Sequence, residues 1–509
     1  MQHNLLTDVF KKAFKKALKA DSASKKLMLQ RQESRRIFLK NAAVLGVGAT
    51  LIPPFINAGN LAVKKNIVIV GAGMAGLNAA YQLKKAGLSA TVYEASNRVG
   101  GRIFTVQNYF GENISTDLGG EFIDGNHEDL LQLTTELNLP LFDLRTDRFQ
   151  KEVLFFDNQS YSENELVIAL QPFVAQLVKD IVSLPTELNY KNAAQFEQLD
   201  KLSIKEYITG VGITGWLYSF LDVVLSREYG MEIAEQSALN FLIMLDKSGA
   251  FYGGHEVFKI KGGSQQLTDA IYFKVKDRVK LKHELVAINE KNGTYELHFN
   301  NNKNATNIKA DYIILALPYS ILRHIKMDVP MPAEKRKCID EFGFGNSSKF
   351  IMGMKSKPWR NGDKQGYSFT DECFGCGWDS THMQTGAGVS FTIFGGGNFS
   401  DKILNEKPAK LLEDFTQAVN KIYENKEAVL TGKHIKFCWT KQPFTKGGYT
   451  SFKKGQYSNI VGWEAVPVGN IYFAGEHVSG QFQGFMNGAA ETGRVAAQQI
   501  AANILLVKK

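Results

Sequence analysis

The sequence predicts an α/β fold, with α+β parts, that is built on buried parallel strands and the helices that follow them. Two observations predict it: an apolar strand with a glycine-rich turn and a helix at 66–86, and a second strand, loop and helix at 471–501. Between these units, 165–247 is richly helical and shows no strand pattern. A chain of 509 residues is also too long for a single hydrophobic core, which indicates two or three domains.

The first unit has the pattern of a dinucleotide-binding turn. An apolar run typical of a buried parallel strand leads directly into Gly71, Gly73 and Gly76. The spacing assigns Gly71 to the tight turn, Gly73 to close approach of a pyrophosphate, and Gly76 to close packing of helix on strand. A second strand at 89–93 ends at Glu94, where a carboxylate would accept hydrogen bonds from a ribose. This order of elements predicts a Rossmann-like domain.

The glycine pattern alone is weak, because Gly210, Gly212 and Gly215 repeat it elsewhere in the chain. The stretch before this second copy is polar, and no strand ending in an acid follows it at the right distance. The second copy is therefore predicted to be a loop between helices.

A basic, glycine-containing stretch just beyond Glu94 favours FAD over NAD. It contains Arg98, Gly100, Gly101 and Arg102, whose cations suit pyrophosphate or flavin contacts and whose glycines allow close backbone approach. The alternative is a solvated basic loop. The strand, helix and acid that precede the stretch favour the FAD interpretation.

With these motifs the chain resembles the flavin amine oxidase family, which contains monoamine, polyamine and L-amino-acid oxidases. In that family Glu-Ala, Arg-x-Gly-Gly-Arg and Asp-Leu-Gly-Gly continue the FAD site, and they stand here at 94–95, 98–102 and 117–120. The resemblance continues in a second strand-to-loop unit at 471–476 and in the start of the helix after Phe485. It also includes Val286, which matches the valine that the family places beside the adenine. The residues it predicts to bind FAD are Gly71, Gly73, Met74, Ala75, Gly76, Glu94, Ala95, Arg98, Gly100, Gly101, Arg102, Gly119, Gly120, Glu121, Phe122, Val286, Gly475, Glu476, Phe485 and Met486.

The resemblance runs from about residue 64 to 505 and implies a Rossmann-like FAD-binding domain interleaved with a substrate-binding domain of sheet plus helices. The predicted segments are 61–139, 255–337 and 441–509 for the FAD-binding domain, 140–254 and 338–440 for the substrate-binding domain, and 1–60 for a leader.

The resemblance also implies the chemistry. A neutral amine gives a hydride from its α-carbon to flavin N5, an imine leaves, and O2 re-oxidises the ring with release of hydrogen peroxide. Lys349 falls where the family has a lysine bonded through water to N5, which would assist oxygen activation. Tyr449 and Phe485 align with two rings that flank the amine, and Trp439 is expected to pack nearby. The second ring is more often tyrosine in monoamine oxidases. Taken from composition alone, Lys349 would be a surface lysine and the rings would be core aromatics.

One departure bears on how the cofactor is held. Membrane monoamine oxidases carry a cysteine just before the first of these rings and attach the flavin to it, whereas this chain has Gly448. Non-covalent, dissociable FAD is therefore predicted.

The substrate is less well defined. L-amino-acid oxidases typically have an arginine soon after Asp-Leu-Gly that binds the substrate carboxylate, but Glu121 and Phe122 stand there in this chain. The charge of Glu121 favours a cationic amine, so primary or secondary amines, including polyamines, are predicted. The L-amino-acid alternative stays open because Arg102 or Arg227 could replace the missing arginine. A carotenoid-desaturase or protoporphyrinogen-oxidase type flavoprotein and a non-catalytic FAD-binding protein are further alternatives.

Most of the formal charge of +9 lies at the N-terminus. Residues 1–60 hold eleven lysines and arginines but three acids, so 61–509 is nearly neutral and a nucleic-acid partner is not indicated. Arg35-Arg36 precede an apolar run at 41–56 that is too short for a stable membrane span. This pattern resembles a twin-arginine export signal and predicts a periplasmic enzyme, or a cytoplasmic one if the signal is not used.

A chance arginine pair ahead of an apolar helix is the second interpretation of the N-terminus, and an interfacial helix is the third. Phe10, Phe14 and Leu18 share one helical face among lysines, as on helices that lie in a membrane surface. In all three interpretations residues 1–60 lie outside the fold.

The four cysteines do not predict a disulfide framework. Cys373 and Cys376 have the spacing of a metal or redox pair, but no second pair accompanies them. An incidental pair in a loop and a local disulfide formed after export are the alternatives. Nothing in the sequence marks an interface, so no oligomeric state is predicted.

Overall fold

The computed structural model describes residues 5–45, 65–247, 256–301, 304–360, 363–424 and 430–506. The helices are α1 (Leu5–Ala20), α2 (Ser22–Leu45), α3 (Met74–Lys85), α4 (Glu128–Glu136), α5 (Glu163–Leu170), α6 (Val174–Ser183), α7 (Glu197–Lys201), α8 (Ile204–Gly210), α9 (Gly215–Tyr229), α10 (Ala238–Lys247), α11 (Gln265–Val275), α12 (Tyr319–Leu322), α13 (Ala333–Glu341), α14 (Asn398–Asn405), α15 (Pro408–Ile422), α16 (Gln456–Ile460) and α17 (Met486–Leu506). The strands are β1 (Ile67–Val70), β2 (Ala90–Tyr93), β3 (Thr105–Gln107), β4 (Ser115–Asp117), β5 (Phe122–Asp124), β6 (Leu141–Asp143), β7 (Lys151–Phe156), β8 (Gln159–Tyr161), β9 (Glu256–Ile260), β10 (Val279–Lys280), β11 (Glu284–Lys291), β12 (Thr294–Asn301), β13 (Asn304–Ala310), β14 (Tyr312–Leu315), β15 (Lys326–Asp328), β16 (Ser347–Met354), β17 (Lys364–Thr370), β18 (Cys376–Asp379), β19 (Val389–Gly396), β20 (Leu430–Cys438) and β21 (Ile471–Phe473).

A five-stranded parallel sheet, in the order β10-β2-β1-β14-β21, receives strands from three separated stretches of the chain. β1 and β14 are buried along their whole length, as expected for central strands covered on both faces. Helices α3 and α17 pack on each other, and Asn78 Nδ2 donates to the carbonyl oxygen of Ala490 across their contact. The predicted α/β class, with its strand, glycine turn and helix, is confirmed.

A seven-stranded mixed sheet, in the order β20-β16-β19-β18-β17-β7-β8, forms the second large layer. Its strand β16 is buried at all eight positions and pairs with β19 and β20, so Lys349 is held in the middle of a sheet. A small sheet, β5-β9-β6, places Phe122 opposite Lys259. These two sheets bring Lys349 and Lys259 towards the same loop.

The stretch from α5 to α10 is fully described and contains helices but no strand, as predicted. Gly210 ends α8 and Gly215 begins α9, so the second glycine motif is a loop between helices. A methyl group added at Gly210 or Gly215 would meet nothing within 4 Å, which agrees with the absence of a packing role.

The prediction that residues 1–60 lie outside the fold is wrong for 5–45, which form α1 and α2. The apolar face with Phe10, Phe14 and Leu18 is at most 1% exposed, because it packs into the core of the helical region. The Phe10 ring lies 5.8 Å from the Phe241 ring. The interfacial-helix interpretation is therefore wrong as well, since this face is covered by protein. Residues 46–64, with most of the apolar run, lie outside the described residues.

Helix α2 is anchored to α10 by buried ion pairs. Asp246, at the end of α10, binds Arg31 at 2.9 Å and Arg35 at 3.0 Å, and all three side chains are less than one tenth exposed. Arg35 is one of the two arginines of the export-like motif, so one part of that motif is engaged with the body of the protein.

Replacing Asp246 by alanine should lower the free energy of unfolding by about 3–5 kcal/mol, because two buried guanidinium groups lose their counter-charge. Lys16→Met is the matched control: its ion pair with Glu163 is exposed and should contribute less than about 1 kcal/mol. Chemical denaturation of both variants measures the difference. Equal small losses would show that α2 is not anchored at Asp246.

The four cysteines are all described, and all are free thiols, so the local disulfide is not formed. Among the described residues no group of His, Cys, Asp and Glu side chains could hold a metal ion. The stretch 163–183 has the length and hydropathy of a membrane-crossing helix, but it is divided between α5 and α6. Val174, Leu177 and Ile181 of this stretch are buried in the core.

Candidate functional site

A cavity of about 660 Å3 opens at the carboxyl ends of the parallel strands. Val70, Tyr93, Ala316 and Gly475, which end or follow four of these strands, line it. In open α/β sheets this edge is the place where nucleotides bind, and the volume lies in the range of cofactor sites.

The glycine turn between β1 and α3 leaves no room for a side chain at Gly71 or Gly76. Gly71 has φ +102°, and a methyl group added at Gly76 would lie 1.9 Å from the carbonyl oxygen of Gly71. A methyl group on Gly101 would lie 3.1 Å from the Cα of Gly73, so two backbone segments meet here. The first turn of α3 faces the cavity, where its free N–H groups fit a pyrophosphate.

Glu94 and Arg98, two charged residues of this region, form hydrogen bonds with the backbone of adjacent loops. The carboxylate of Glu94 accepts hydrogen bonds from the amides of Ala72 at 2.7 Å and Ser96 at 2.9 Å. Arg98 donates to the carbonyl oxygens of Val99 and Ile103, both at 3.1 Å. Burial lowers the pKa of Arg98. Arg98 therefore lines the cavity, but its donors hold the adjacent glycine loop, which the sequence did not predict.

The opposite wall is organised by the buried Glu476. Arg102 Nη1 donates to Glu476 at 2.8 Å and to the carbonyl oxygen of Gly448 at 2.7 Å. The second oxygen of Glu476 accepts from Thr450 Oγ1 at 2.8 Å and from the amide of Gly484 at 2.6 Å. Burial alone would raise the pKa of Glu476, but the charge of Arg102 holds it below its ordinary value. One carboxylate thus links the segments that carry Tyr449 and Phe485.

Most residues predicted to bind FAD line the large cavity, together with Trp439. They are Gly71, Gly73, Met74, Ala75, Glu94, Ala95, Arg98, Gly100, Gly101, Arg102, Val286, Gly475, Glu476, Phe485 and Met486. Val286 does so at a break in the pairing of β11 with β12. Five predicted residues do not line it: Gly76, Gly119, Gly120, Glu121 and Phe122. Gly119 packs against Arg102, since a methyl group there would lie 1.9 Å from its carbonyl oxygen.

Lys349 lies under the 117–121 loop. Its Nζ donates to the carbonyl oxygens of Asp117 at 2.7 Å and Gly119 at 3.2 Å, and to Glu121 at 2.9 Å. The other oxygen of Glu121 accepts from Lys259 at 2.7 Å. These three protein acceptors match the three hydrogens of the ammonium group. Lys349 does not line the described larger cavity, and its bond through water to flavin N5 stays a prediction.

The charges of this cluster are balanced within the protein. Asp117, Glu121, Lys259 and Lys349 are each at most 6% exposed. Burial alone would raise the pKa of Glu121, but the two lysines lower it. Burial and the charge of Glu121 raise the pKa of Asp117. Each buried charge therefore has a counter-charge beside it, and neither lysine is buried without a carboxylate.

The three predicted aromatic residues have different surroundings. Trp439 lines the large cavity, and its Nε1 donates to the carbonyl oxygen of Leu118 at 3.0 Å. Phe485 also lines it and lies edge-on to the His127 ring at 5.1 Å. Tyr449 is 1% exposed, its hydroxyl donates to the carbonyl oxygen of Arg227, and it lines neither described cavity. Phe485 is therefore the predicted ring with direct access to the cavity on the substrate side.

A smaller cavity of about 120 Å3 lies beyond Phe485, which lines both. Its walls carry the carboxylates of Asp124 and Glu228, with the amides of Asn126 and Asn240 among other polar groups. Lys11 lines this cavity as well, so its walls carry two acidic side chains and one basic side chain.

The two arginines considered as carboxylate ligands do not line this smaller cavity, and among its described residues there is no arginine. Arg102 is bound to Glu476 in the larger cavity. Arg227 donates to the carbonyl oxygen of Gly396 at 3.1 Å and lies over the Phe399 ring. Burial lowers the pKa of Arg227.

Several residues at these sites were missed by sequence reasoning: Lys11, Asp124, His127, Glu228 and Lys259. Lys259 shares the alternating strand β9 with Phe258, a pattern that reveals a strand but not its partner Glu121. The other four belong to no sequence motif, and only the tertiary packing brings them near Phe485.

Comparison with known proteins agrees with this geometry. The sequence profile of the family described as Flavin containing amine oxidoreductase matches residues 74–501. Amine oxidase [flavin-containing] B of Cavia porcellus is 26% identical over 461 residues, 86% of each chain. A protein of Bacillus subtilis (strain 168), provisionally named L-amino-acid oxidase YobN, is 24% identical and covers 86% of this chain and 94% of its own.

Two solved structures share the fold. Cyclohexylamine oxidase from Brevibacterium oxydans IH-35A has a TM-score of 0.74 at 21% identity and covers 87% of this chain and 100% of its own. Wild-type putrescine oxidase bound to putrescine has a TM-score of 0.73 at 20% identity, covering 86% and 99%. Since the family profile spans most of the sequence, the chain belongs to the flavin-containing amine oxidoreductase family, and it is an oxidoreductase.

Proposed function

We propose that the protein uses non-covalently bound FAD to oxidise an amine to an imine, which water converts to an aldehyde, with O2 as the electron acceptor and hydrogen peroxide as the second product. The observation that supports this most is the meeting of two cavities at Phe485. The larger one is lined by a dinucleotide cradle, and the smaller one by carboxylates.

The residues present fit FAD. The glycine turn and the start of α3 would hold the pyrophosphate, Glu94 the adenosine ribose, and the start of α17 the flavin carbonyl end. We propose that the segments 61–139, 255–337 and 441–509 form the FAD-binding domain, and that 140–254 and 338–440 enclose the substrate. Bound FAD would supply the acceptor for the hydride that leaves the amine-bearing carbon.

The protein's own side chains would position and desolvate the amine. Phe485 presents a ring at the junction of the two cavities, where a π face attracts the polarised amine nitrogen. Glu476 fixes this ring by holding the amide of Gly484. Asp124 and Glu228 outnumber Lys11 in the smaller cavity, so the net negative potential would attract one protonated amine from solution.

The experiment that tests this function is a peroxide-coupled screen of the FAD-loaded protein with tyramine, putrescine, spermidine and a set of L-amino acids. We expect peroxide from amines, because no arginine lines the described smaller cavity to bind a carboxylate. Turnover restricted to L-amino acids would contradict the amine assignment and favour the activity in the name of the Bacillus subtilis relative.

FAD should be released by acid. A methyl group added at Gly448 would lie 2.5 Å from Ser347 Oγ, so a cysteine side chain does not fit where membrane monoamine oxidases attach their flavin. None of the four thiols lines the described cavity. Acid precipitation should therefore leave a colourless pellet and a yellow supernatant. A pellet that keeps the chromophore would show a covalent bond.

A further inference from the structure

Helix α1 forms one wall of the smaller cavity. Its Phe10 ring lies 5.8 Å from Phe241 on α10 and 6.5 Å from Phe220 on α9. The same two helices supply much of the cavity lining, namely Glu228, Tyr229, Asn240, Ile243 and Met244. The position of α1 on these helices is thus coupled to the shape of the cavity.

Lys11, the residue after Phe10, brings a cation to this cavity. It is 4% exposed and lines the cavity together with Asp124, Glu228 and Phe485. Among the described lining residues it is the one cationic side chain. A lysine is rarely buried unless carboxylates stand nearby, and the two acids of this cavity meet that condition.

The ammonium group of Lys11 affects which substrate groups can bind beside Asp124 and Glu228 in this small cavity. A cavity of about 120 Å3 does not separate charges widely, so a second ammonium group inside it would be repelled by Lys11 and compete with it for the same carboxylates. A neutral aryl or alkyl group meets no such repulsion. Discrimination by a built-in repulsive charge is a common basis of specificity.

We propose that Lys11 is a specificity-determining residue that occupies the cation-binding end of the substrate cavity and makes the enzyme select monoamines with an uncharged tail over diamines and polyamines. This inference rests on the proposed amine oxidation and narrows its substrate class. It also makes α1 part of the working enzyme, although the sequence predicted a leader there.

The test compares Lys11→Met with the matched control Lys16→Met, whose ammonium lies on the exposed side of the same helix. For wild type, kcat/KM should be higher with tyramine than with putrescine. In Lys11→Met the putrescine-to-tyramine ratio of kcat/KM should rise by about tenfold or more, because the repulsive charge is gone. Lys11→Arg and Lys16→Met should keep the wild-type ratio. An unchanged ratio in Lys11→Met, or a wild type that prefers putrescine, would overturn the proposal.

A second readout does not depend on turnover. Acetylation with an amine-selective reagent, followed by mass spectrometry, should modify Lys11 at least about tenfold more slowly than Lys16, because a buried amine is shielded from solvent. Equal rates, or an intact mass showing that residues 5–45 are absent from the native enzyme, would overturn the proposal. If no amine is oxidised, the proposed function fails. The role of Lys11 is then decided by whether putrescine raises the unfolding temperature of FAD-loaded Lys11→Met more than that of wild type; an equal rise rejects it.

Discussion

Replacing Lys349 by methionine is expected to slow the reaction of the reduced enzyme with O2 by about 100-fold or more, while reduction by the amine changes much less. This expectation rests on the proposed role of Lys349 as a fixed positive charge near the reduced flavin, because loss of such a preorganised charge would have effects of this size. Lys349 is 2% exposed and held by Asp117, Gly119 and Glu121, so its charge is fixed in place. Stopped-flow measurements of the two half-reactions check the expectation separately.

Lys259→Met is the matched control for this prediction. Lys259 is also buried and also binds Glu121, at 2.7 Å, but it makes no hydrogen bond to the 117–119 backbone. Its loss should leave the reaction with O2 within about tenfold of wild type, since Lys349 still carries the charge nearest the loop. If Lys349→Met slows both half-reactions equally, the lysine holds the loop and has no specific role towards oxygen.

Replacing Gly76 by alanine should remove FAD from the protein. The added methyl group would lie 1.9 Å from the carbonyl oxygen of Gly71, which is backbone and cannot move without opening the turn. We expect the Kd for FAD to rise at least about 100-fold, which corresponds to about 2.7 kcal/mol. Titration of apoprotein with FAD measures it, and circular dichroism establishes that the variant is folded.

The second glycine motif offers the control for this change. A methyl group at Gly210 meets nothing within 4 Å, and the residue ends a regular helix. Gly210→Ala should therefore bind FAD as wild type does. If Gly76→Ala also binds FAD normally, the turn between β1 and α3 does not hold the pyrophosphate.

The glycine turn could be predicted because its determinants are adjacent in sequence. Gly71, Gly73 and Gly76 lie between a strand and a helix whose periodicities are local, and Glu94 ends the next strand. The same reasoning separated this motif from the copy at Gly210. Patterns of this kind depend on neighbouring residues alone, so they can be interpreted without knowledge of the tertiary contacts.

The rest of the site depends on contacts that no local pattern contains. Glu121 receives its two lysines from β9 and β16, which are far from it and from each other in sequence. The N-terminal helices were misjudged for the same reason. An apolar face among lysines looks alike whether a membrane or a protein core covers it, and only the packing of Phe10 decides between them.

The central claim, that an amine reduces the flavin of this protein, is tested most directly by anaerobic titration of the FAD-loaded enzyme with tyramine. The account predicts that the visible absorption of oxidised flavin disappears with one equivalent of amine per flavin and returns when air is admitted, with release of hydrogen peroxide. A flavin that stays oxidised with tyramine, putrescine and spermidine alike would contradict it.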